Sequence, residues 1–479
     1  MSLEKPPAWV ADAVFYQIFP DRFASSDQWE QPPNLEPWDA PPTHHGYKGG
    51  NLLGVIEHLD YLVNLGINAL YFNPIFASGS NHRYHAWDYY RIDPLLGDDD
   101  IFDQLITACH DRGIRVVLDG VFNHTGRGFF QFSDVVESGQ QSPYVDWYHF
   151  HSFPVDAFGR TPNYDAWWGM PALPKLNTGT PHVREYLMQV AEYWVTRGID
   201  GWRLDVPQEI TTPGFWEEFR ERVRAINPEA YIVAEIWEDA SNWISSGDQF
   251  DGTMNYLFTG YTLAFVAGDS IPRHLTTDLN YPLHPALDGQ SFSDAMNNLI
   301  GLYPWSATLT NLNLLDSHDV PRVLTLCADD PIAVELAVAI QMTFPGAPSI
   351  YYGSEVGLTG GRDPENRSGF DWDENTWNRT TLETHRSLIR LRHDHQALRT
   401  GSYRTLPVGP ELYVIERADE TERILVAVNA SYAAHSAAVQ EAMGTTFTTL
   451  YGDGGISSDG TTTRLAVAPR TAVIWRVES

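Results

Sequence analysis

The chain repeats one unit, most clearly in Ile101-Phe-Asp-Gln-Leu-Ile-Thr-Ala-Cys-His110 followed by Ile114-Arg-Val-Val-Leu118. In residues 101–110 the apolar side chains recur at helical spacing. Residues 114–118 form a short, mostly apolar run of the length of a buried strand. The run ends at Asp119, a polar residue where the strand should leave the sheet. A helix followed by a buried strand is the building unit of a parallel sheet.

Candidate strands of the same kind occur on both sides of this unit and are mostly separated by helical patterns. They are residues 14–19, 67–72, 114–118, 201–204, 231–234, 252–256, 309–314 and 349–352. Eight such strands predict an α/β fold in which the sheet closes into a (β/α)8 TIM barrel.

Two stretches interrupt the alternation and define the predicted domains. Residues 125–180 carry tryptophans and prolines without helical periodicity, which predicts a small inserted domain after the third strand. From residue 400 the apolar residues alternate as in antiparallel strands. We therefore predict a catalytic barrel over 1–124 and 181–399, an inserted B domain over 125–180, and a C-terminal β-sandwich over 400–479.

Composition excludes several classes of partner. Of the 479 residues, 62 are acidic and 31 are basic, for a formal charge of −31, so the phosphates of nucleic acid would be repelled. No apolar run is long enough to span a membrane, so no membrane partner is expected. Residues 1–10 lack a basic segment followed by an apolar run, which favours a cytoplasmic location over secretion.

Polar side chains collect where four of the eight strands end. The third strand gives Asp119 and His124, the fourth Arg203 and Asp205, the fifth Glu235, and the seventh Asp316, His318 and Asp319. A single aspartate at a strand end usually caps the following helix. Carboxylates at four ends of one barrel are better explained by a shared site, because catalytic groups gather at the C-terminal ends of barrel strands.

Carboxylates in one cleft suit the cleavage of a glycosidic bond. A retaining mechanism needs one ionised carboxylate to attack the anomeric carbon and a second, protonated one to serve the leaving oxygen. Arg203 would keep Asp205 anionic, whereas Glu235 lies among apolar neighbours. A metal site built from the same histidines and aspartates is the alternative, but the close histidine spacing of such sites is missing. No metal ligands are therefore assigned.

Four segments together resemble, in order, the four signatures of the α-amylase family, glycoside hydrolase family thirteen. They are Asp119-Gly-Val-Phe-Asn-His124, Gly201-Trp-Arg-Leu-Asp205, Glu235-Ile-Trp237 and Leu315-Asp-Ser-His-Asp319. A fifth segment, Leu173-Pro-Lys-Leu-Asn177, is similar to a signature of the neopullulanase, cyclomaltodextrinase and maltogenic amylase branch. The resemblance covers about residues 14–372.

The resemblance implies a role for each matching residue. Asp205 matches the nucleophile, Glu235 the acid/base, and Asp319 the third carboxylate that orients the distorted sugar. The implied substrate-binding residues are His82, Tyr84, His124, Arg203, His318, Asp363 and Arg367. The implied activity is hydrolysis of α-1,4 bonds in α-glucans or maltooligosaccharides. A glucosyl transferase or a trehalose synthase-like isomerase shares all these residues and stays an open alternative.

Three departures from the family pattern limit what the resemblance implies. The branch carries an additional N-terminal β-domain that helps to build its dimer, whereas here the barrel begins almost at once, so the oligomeric state is left open. The family's calcium loop reads Ala24-Ser-Ser-Asp-Gln28 here, and Asn51 replaces an aspartate, so no cofactor is required and calcium stays an open alternative. Pro207-Gln208 after the nucleophile indicates a changed acceptor side.

Overall fold

The computed structural model describes residues 5–277, 281 and 283–478. The ends of the predicted domains at residues 1 and 479 lie outside these ranges, as do the first four residues of the segment inspected for a signal. The strands are β1 (Phe15–Ile18), β2 (Ala69–Phe72), β3 (Phe76–Ser78), β4 (Ala86–Ile92), β5 (Arg115–Gly120), β6 (Gly201–Leu204), β7 (Tyr231–Ala234), β8 (Gly252–Thr253), β9 (Leu312–Leu314), β10 (Ala347–Tyr351), β11 (Ser402–Thr405), β12 (Tyr413–Ala418), β13 (Arg423–Asn429), β14 (His435–Val439), β15 (Thr446–Tyr451), β16 (Gly454–Ser458), β17 (Thr463–Val467) and β18 (Thr471–Glu478).

The α-helices within the described ranges alternate with the barrel strands. They are α1 (Pro20–Phe23), α2 (Leu52–Glu57), α3 (Leu59–Leu65), α4 (Asp99–His110), α5 (Phe130–Ser138), α6 (Pro181–Thr196), α7 (Phe215–Ile226), α8 (Ser241–Ile244), α9 (Tyr256–Val266), α10 (Gly289–Gly301), α11 (Trp305–Thr308), α12 (Val323–Leu326), α13 (Pro331–Thr343), α14 (Arg379–Asp394) and α15 (Gln396–Arg399).

The predicted barrel is confirmed. Eight parallel strands pair in the order β8-β7-β6-β5-β2-β1-β10-β9, and a parallel bridge from Met254 to Leu312 joins the two ends. Strands β1, β2, β6 and β7 are buried along their whole length, which explains why they read as continuous apolar runs. The ends of β5, β6 and β7 therefore open onto the same face of the barrel.

Local structure departs from the sequence prediction at several places. The helix predicted over residues 53–65 is two helices, α2 and α3, with His58 between them outside helical geometry and hydrogen-bonded from its ring to Gly54 O. The strand predicted over 252–256 ends at Thr253, because Asn255 caps α9 by accepting the N–H of Phe258. The insert contains helix α5, and β3 and β4 form an antiparallel pair that the sequence did not predict.

The C-terminal strands form two antiparallel sheets, in the orders β11-β12-β13-β18-β15 and β14-β17-β16. Strand β13 is buried on both faces. Ile424, Val426 and Val428 belong to the large core that contains the barrel, whereas Leu425 and Ala427 pack into a second core between the two sheets. Because consecutive strand residues point to opposite faces, one strand contributes to both cores.

One buried arginine connects this sheet to the barrel domain, and a second one hydrogen-bonds within the barrel domain beside it. Arg417 on β12 donates to the carbonyl oxygens of Thr343, Leu398, Gly401 and Ser402. Arg392 on α14 reaches the carbonyl oxygens of Ala11, Met342, Phe344, Leu398 and Gly346. These carbonyls lie at helix ends and just before β1 and β10, and leaving one unsatisfied would cost about 1–3 kcal/mol. The attachment is therefore at the N-terminal end of the barrel strands.

Among the described residues, none of the helices is long and apolar enough to cross a lipid bilayer.

Candidate active site

Arg203 lies at the centre of the site. Its fully buried guanidinium donates through Nη1 to Asp119 Oδ1 at 2.8 Å and to Asp205 Oδ1 at 3.1 Å, and its Nη2 lies 2.9 Å from Glu235 Oε1. Asp119 is in β5, Asp205 follows β6, and Glu235 follows β7. One guanidinium thus brings together three carboxyl groups from three adjacent strand ends.

Asp319 joins this group from the other side of the cleft. His318 Nε2 lies 3.1 Å from Asp319 Oδ2, and Arg367 Nη2 lies 3.5 Å from Asp319 Oδ1. Arg367 also forms an ion pair with Asp363 at 3.1 Å and donates to the backbone oxygen of His318 at 2.9 Å. The side chain of Asp319 is 29% exposed, so it can meet a ligand directly.

The remaining sequence-predicted residues surround these carboxyl groups. Tyr84 donates its hydroxyl to Asp119 Oδ2 at 2.8 Å and lies 2.6 Å from His318 Nε2. His82 Nδ1 accepts the backbone N–H of Tyr84, so its Nε2 carries the proton and is a donor. His124 lies flat against Trp167, with ring centroids 5.4 Å apart. The structure therefore brings the ten sequence-predicted residues to one end of the barrel.

Burial keeps the histidines of this site neutral. It lowers the pKa of His124 to about 3 and holds the pKa of His82 and of His318 well below the usual value, where Arg367 adds to the effect. Neutral imidazoles can donate hydrogen bonds to sugar hydroxyls without adding charge to the cleft.

The backbone directly after Asp205 is strained, and the strained conformation gives Glu235 a hydrogen-bond donor. Val206 has a φ of 36°, a left-handed conformation that a β-branched residue rarely adopts. In this conformation its N–H donates to Glu235 Oε2 at 3.2 Å, while Trp237 Nε1 donates to Glu235 Oε1 at 3.1 Å. Both oxygens of Glu235 are thereby fixed in place, and strain of this kind is typical of functional sites.

Four further residues complete the site and are not among those predicted from the sequence. Gln17, Tyr71, Asn73 and Trp237 each hydrogen-bond a predicted site residue or its partner. Asn73 follows β2 directly, so the strand-end rule that found Asp119 also applies to it. Gln17 and Tyr71 lie inside apolar strand runs, and nothing in the sequence pattern separates them from core residues.

The residues at the family's calcium loop do not suit a cation. Asn51 Nδ2 lies 3.3 Å from the carbonyl oxygen of Ser26 and 3.4 Å from that of Gly49, and Asn51 Oδ1 accepts the N–H of Gly54. The amide thus points its N–H groups at the oxygens that would otherwise be available to a metal. In the described ranges of the chain, no cluster of three His, Cys, Asp or Glu side chains could hold one.

Two carboxyl groups of this cluster, those of Asp205 and Asp319, have a raised pKa. Burial and the charge of Glu235 raise the pKa of Asp205, which Arg203 opposes, and the same two causes raise the pKa of Asp319 to about 7. Like charges at this range cannot all ionise together. Asp319 therefore keeps a proton up to about neutral pH.

We expect kcat/KM to fall as the pH rises through about 7. Asp319 loses its proton above that pH and can then no longer donate a hydrogen bond to the sugar, so the rate should decrease on the alkaline side by at most about tenfold per pH unit. The measurement is the pH profile of kcat/KM on maltotriose between pH 4 and 9, with protein stability followed in parallel. A rate that stays level up to pH 9 would contradict a need for the proton on Asp319.

A barrel with paired carboxylates at its C-terminal face defines a glycoside hydrolase site, and comparison with known proteins agrees. Residues 17–397 match the model of the α-amylase catalytic domain. A cyclomaltodextrinase of a Bacillus species is 45% identical over 436 residues, covering 90% of this chain and 75% of that protein. The structure of a Nostoc punctiforme debranching enzyme superposes with a TM-score of 0.92 at 49% identity, covering 99% and 100% of the two chains.

A cyclic α-maltosyl-(1→6)-maltose hydrolase from Arthrobacter globiformis has a TM-score of 0.88 at 39% identity, over 99% of this chain and 100% of that one. The chain belongs to the α-amylase family and is an α-glucan hydrolase of that family.

Proposed function

We propose that the chain hydrolyses α-1,4 bonds of short maltooligosaccharides and cyclodextrins by a retaining mechanism. Asp205 is the nucleophile, Glu235 the acid/base, and Asp319 the carboxylate that orients the sugar. The observation that supports this most is the contact of the Arg203 guanidinium with Asp119, Asp205 and Glu235 at once. Carboxyl groups bound to one guanidinium are close together, as the roughly 5–5.5 Å separation of retaining enzymes requires.

Each side chain then has a defined task. Glu235 gives its proton to the glycosidic oxygen while Asp205 attacks the anomeric carbon, and the glycosyl group becomes covalently bound to Asp205. Glu235, now ionised, takes a proton from the incoming water, which releases the sugar. Arg203 stabilises the carboxylate form of Asp205 before it attacks and again after the sugar is released, because Nη1 lies 3.1 Å from Asp205 Oδ1 and Nη2 lies 2.9 Å from Glu235 Oε1.

The test is a time course of products from maltotriose, a cyclodextrin, pullulan and soluble starch, with the anomer of fresh product read by proton NMR. If the anomeric configuration is retained, the α anomer of the product must appear first. Appearance of the β anomer first would exclude the covalent intermediate. Accumulation of longer or isomeric glucosides from maltotriose would instead favour the transferase or isomerase alternative, since those enzymes pass the glycosyl group to a sugar.

Cleavage of α-1,6 bonds is the second candidate. Two of the structures that match this chain over nearly its full length are a debranching enzyme and a hydrolase of a (1→6)-linked cyclic sugar. Pullulan separates the two linkages, because α-1,6 cleavage releases maltotriose whereas α-1,4 cleavage releases trisaccharides that keep the α-1,6 bond, such as panose.

We expect a preference for short substrates over starch. Trp167 and Trp168 stack on each other with centroids 4.5 Å apart, and Trp168 is 76% exposed, so the pair extends from His124 out of the cleft rather than packing the core of the insert. Stacked aromatic rings can hold a few sugar units and narrow one side of the cleft. kcat/KM on maltotriose and maltoheptaose should exceed that on soluble starch at equal glucosyl concentration.

The Trp168→Ala variant is the matched comparison for this preference, and it should reduce the difference between short substrates and starch. A wild-type enzyme that clearly prefers starch would indicate an open groove.

We propose that the reaction needs no metal or other cofactor. The amide of Asn51 supports this, because it forms hydrogen bonds where a cation would need free carbonyl oxygens. EDTA should therefore leave both the rate on maltotriose and the melting temperature unchanged within about 1 °C. A fall in melting temperature that added calcium reverses would reveal a structural calcium site.

The proposed substrate is an α-glucan or a maltooligosaccharide.

A cytoplasmic location is also proposed. The two cysteines, Cys109 and Cys327, are both free thiols, as a reducing compartment permits.

A further inference from the structure

We infer that Gln17 is a positioning residue that fixes the tautomer of His318, with the ring proton on Nε2. The inference rests on the proposed function, in which His318 and Asp319 act on the bound sugar. Gln17 lies in β1 and is buried. Its amide nitrogen lies 2.9 Å from His318 Nδ1 and 3.0 Å from Asn73 Oδ1.

The direction of these hydrogen bonds can be worked out from Asp119. Asp119 is paired with Arg203, and its Oδ2 also receives the hydroxyl of Tyr84 at 2.8 Å and that of Tyr71 at 3.0 Å. A tyrosine hydroxyl has a single proton. Because Tyr84 gives this proton to Asp119, its oxygen can only accept from its other neighbours.

Two neighbours remain, and both must donate to Tyr84. Asn73 Nδ2 lies 3.0 Å and His318 Nε2 lies 2.6 Å from the Tyr84 hydroxyl oxygen. His318 Nε2 therefore carries a proton. Asn73 must also be oriented with its amide nitrogen towards Tyr84, so that its Oδ1 faces Gln17.

Gln17 completes this hydrogen-bond network because its amide nitrogen has two protons. One is donated to Asn73 Oδ1 and the other to His318 Nδ1, which consequently has none. The opposite orientation of the Gln17 amide would place its oxygen against the oxygen of Asn73. The hydrogen-bond network thus permits one tautomer of His318.

The tautomer of His318 determines whether its ring can donate a hydrogen bond to Asp319. His318 Nε2 lies 3.1 Å from Asp319 Oδ2, so the same N–H also faces Asp319. The charged and titratable groups around His318 are Arg203, Arg367, His82, Tyr84 and Asp319. Burial and the two arginines keep the ring neutral, so its only proton must lie on Nε2 if His318 is to be a donor there.

The test combines kinetics with NMR of 15N-histidine-labelled enzyme. In Gln17→Met, a variant of similar volume without donors, kcat on maltotriose should fall about 10- to 100-fold while KM changes less than threefold, because the sugar still binds. The nitrogen shifts of His318, assigned by their loss in His318→Asn, should move away from the Nε2–H pattern of the wild type. In Gln17→Glu the carboxylate would accept from Nδ1, so that nitrogen should become protonated.

Gln341→Met is the matched control. Gln341 is also buried, and its amide donates to the carbonyl oxygens of Asn313 and Ser349, away from the site. This variant should lose stability but keep kcat and the His318 shifts. A wild-type spectrum with the proton on Nδ1, or an unchanged kcat in Gln17→Met, would overturn the inference. Absence of any glycosidase activity in the wild type would instead refute the proposed function and leave the tautomer measurable.

Discussion

Replacing Asp205 by Asn is expected to lower kcat about 10³- to 10⁶-fold. The variant cannot form the covalent glycosyl bond, and such a loss corresponds to roughly 4 to 8 kcal/mol of transition-state stabilisation. Sugar binding should be retained, since an amide of the same size can still accept from Arg203, which lies 3.1 Å from Asp205 Oδ1. Turnover of maltotriose and its binding by calorimetry are the two measurements.

The smaller variant Asp205→Gly adds a control for this assignment. It leaves space for azide on the face of the sugar that Asp205 attacks, so α-maltosyl fluoride and azide should give the β-maltosyl azide. If Asp205→Asn keeps more than a tenth of the wild-type rate, Asp205 is not the nucleophile.

Replacing Glu235 by Gln is expected to lower the rate on maltotriose about 10³-fold or more. A glutamine cannot protonate the glycosidic oxygen or activate water, and general acid–base catalysis contributes typically 10²- to 10⁴-fold in each step. The hydrogen bonds from Val206 and Trp237 can persist through the amide oxygen, so the fold of the site should change little.

A substrate that needs no protonation, α-maltosyl fluoride, distinguishes loss of the acid/base from loss of the nucleophile. Fluoride leaves without protonation and azide attacks without a base, so Glu235→Gln should regain activity on α-maltosyl fluoride with azide and produce the α-maltosyl azide. The two variants should thus give azides of opposite configuration. The β product from Glu235→Gln, or a loss that is as large for the fluoride as for maltotriose, would contradict the assignment of Glu235 as acid/base.

Much of this arrangement could be predicted from the sequence because the barrel links position in the chain to position in space. Asp119, Asp205 and Glu235 each follow an apolar run, and parallel strands deliver their ends to one face. The fold class could therefore be predicted from the strand–helix alternation, and the candidate residues could be predicted from the strand ends.

The parts that could not be predicted depend on contacts between distant segments. Gln17 lies 301 positions before His318 in the chain, and its role depends on the orientation of an amide that no sequence pattern encodes. Helix α5 was missed because aromatic side chains packed in the insert obscure its periodicity. The division of α2 from α3 occurs at His58, whose ring forms a hydrogen bond with Gly54 O.

The attachment of the C-terminal sheet through Arg417 has a consequence for how such an enzyme can evolve. Arg417 hydrogen-bonds the backbone oxygens of Thr343 and Leu398, which no substitution of the partner side chains removes, and Thr343 ends the helix that precedes β10. The loops that carry the catalytic groups leave the barrel at the other end. Mutations that change the shape of the cleft can therefore accumulate in these loops without weakening this attachment. Substrate specificity can thus change during evolution while the fold is retained.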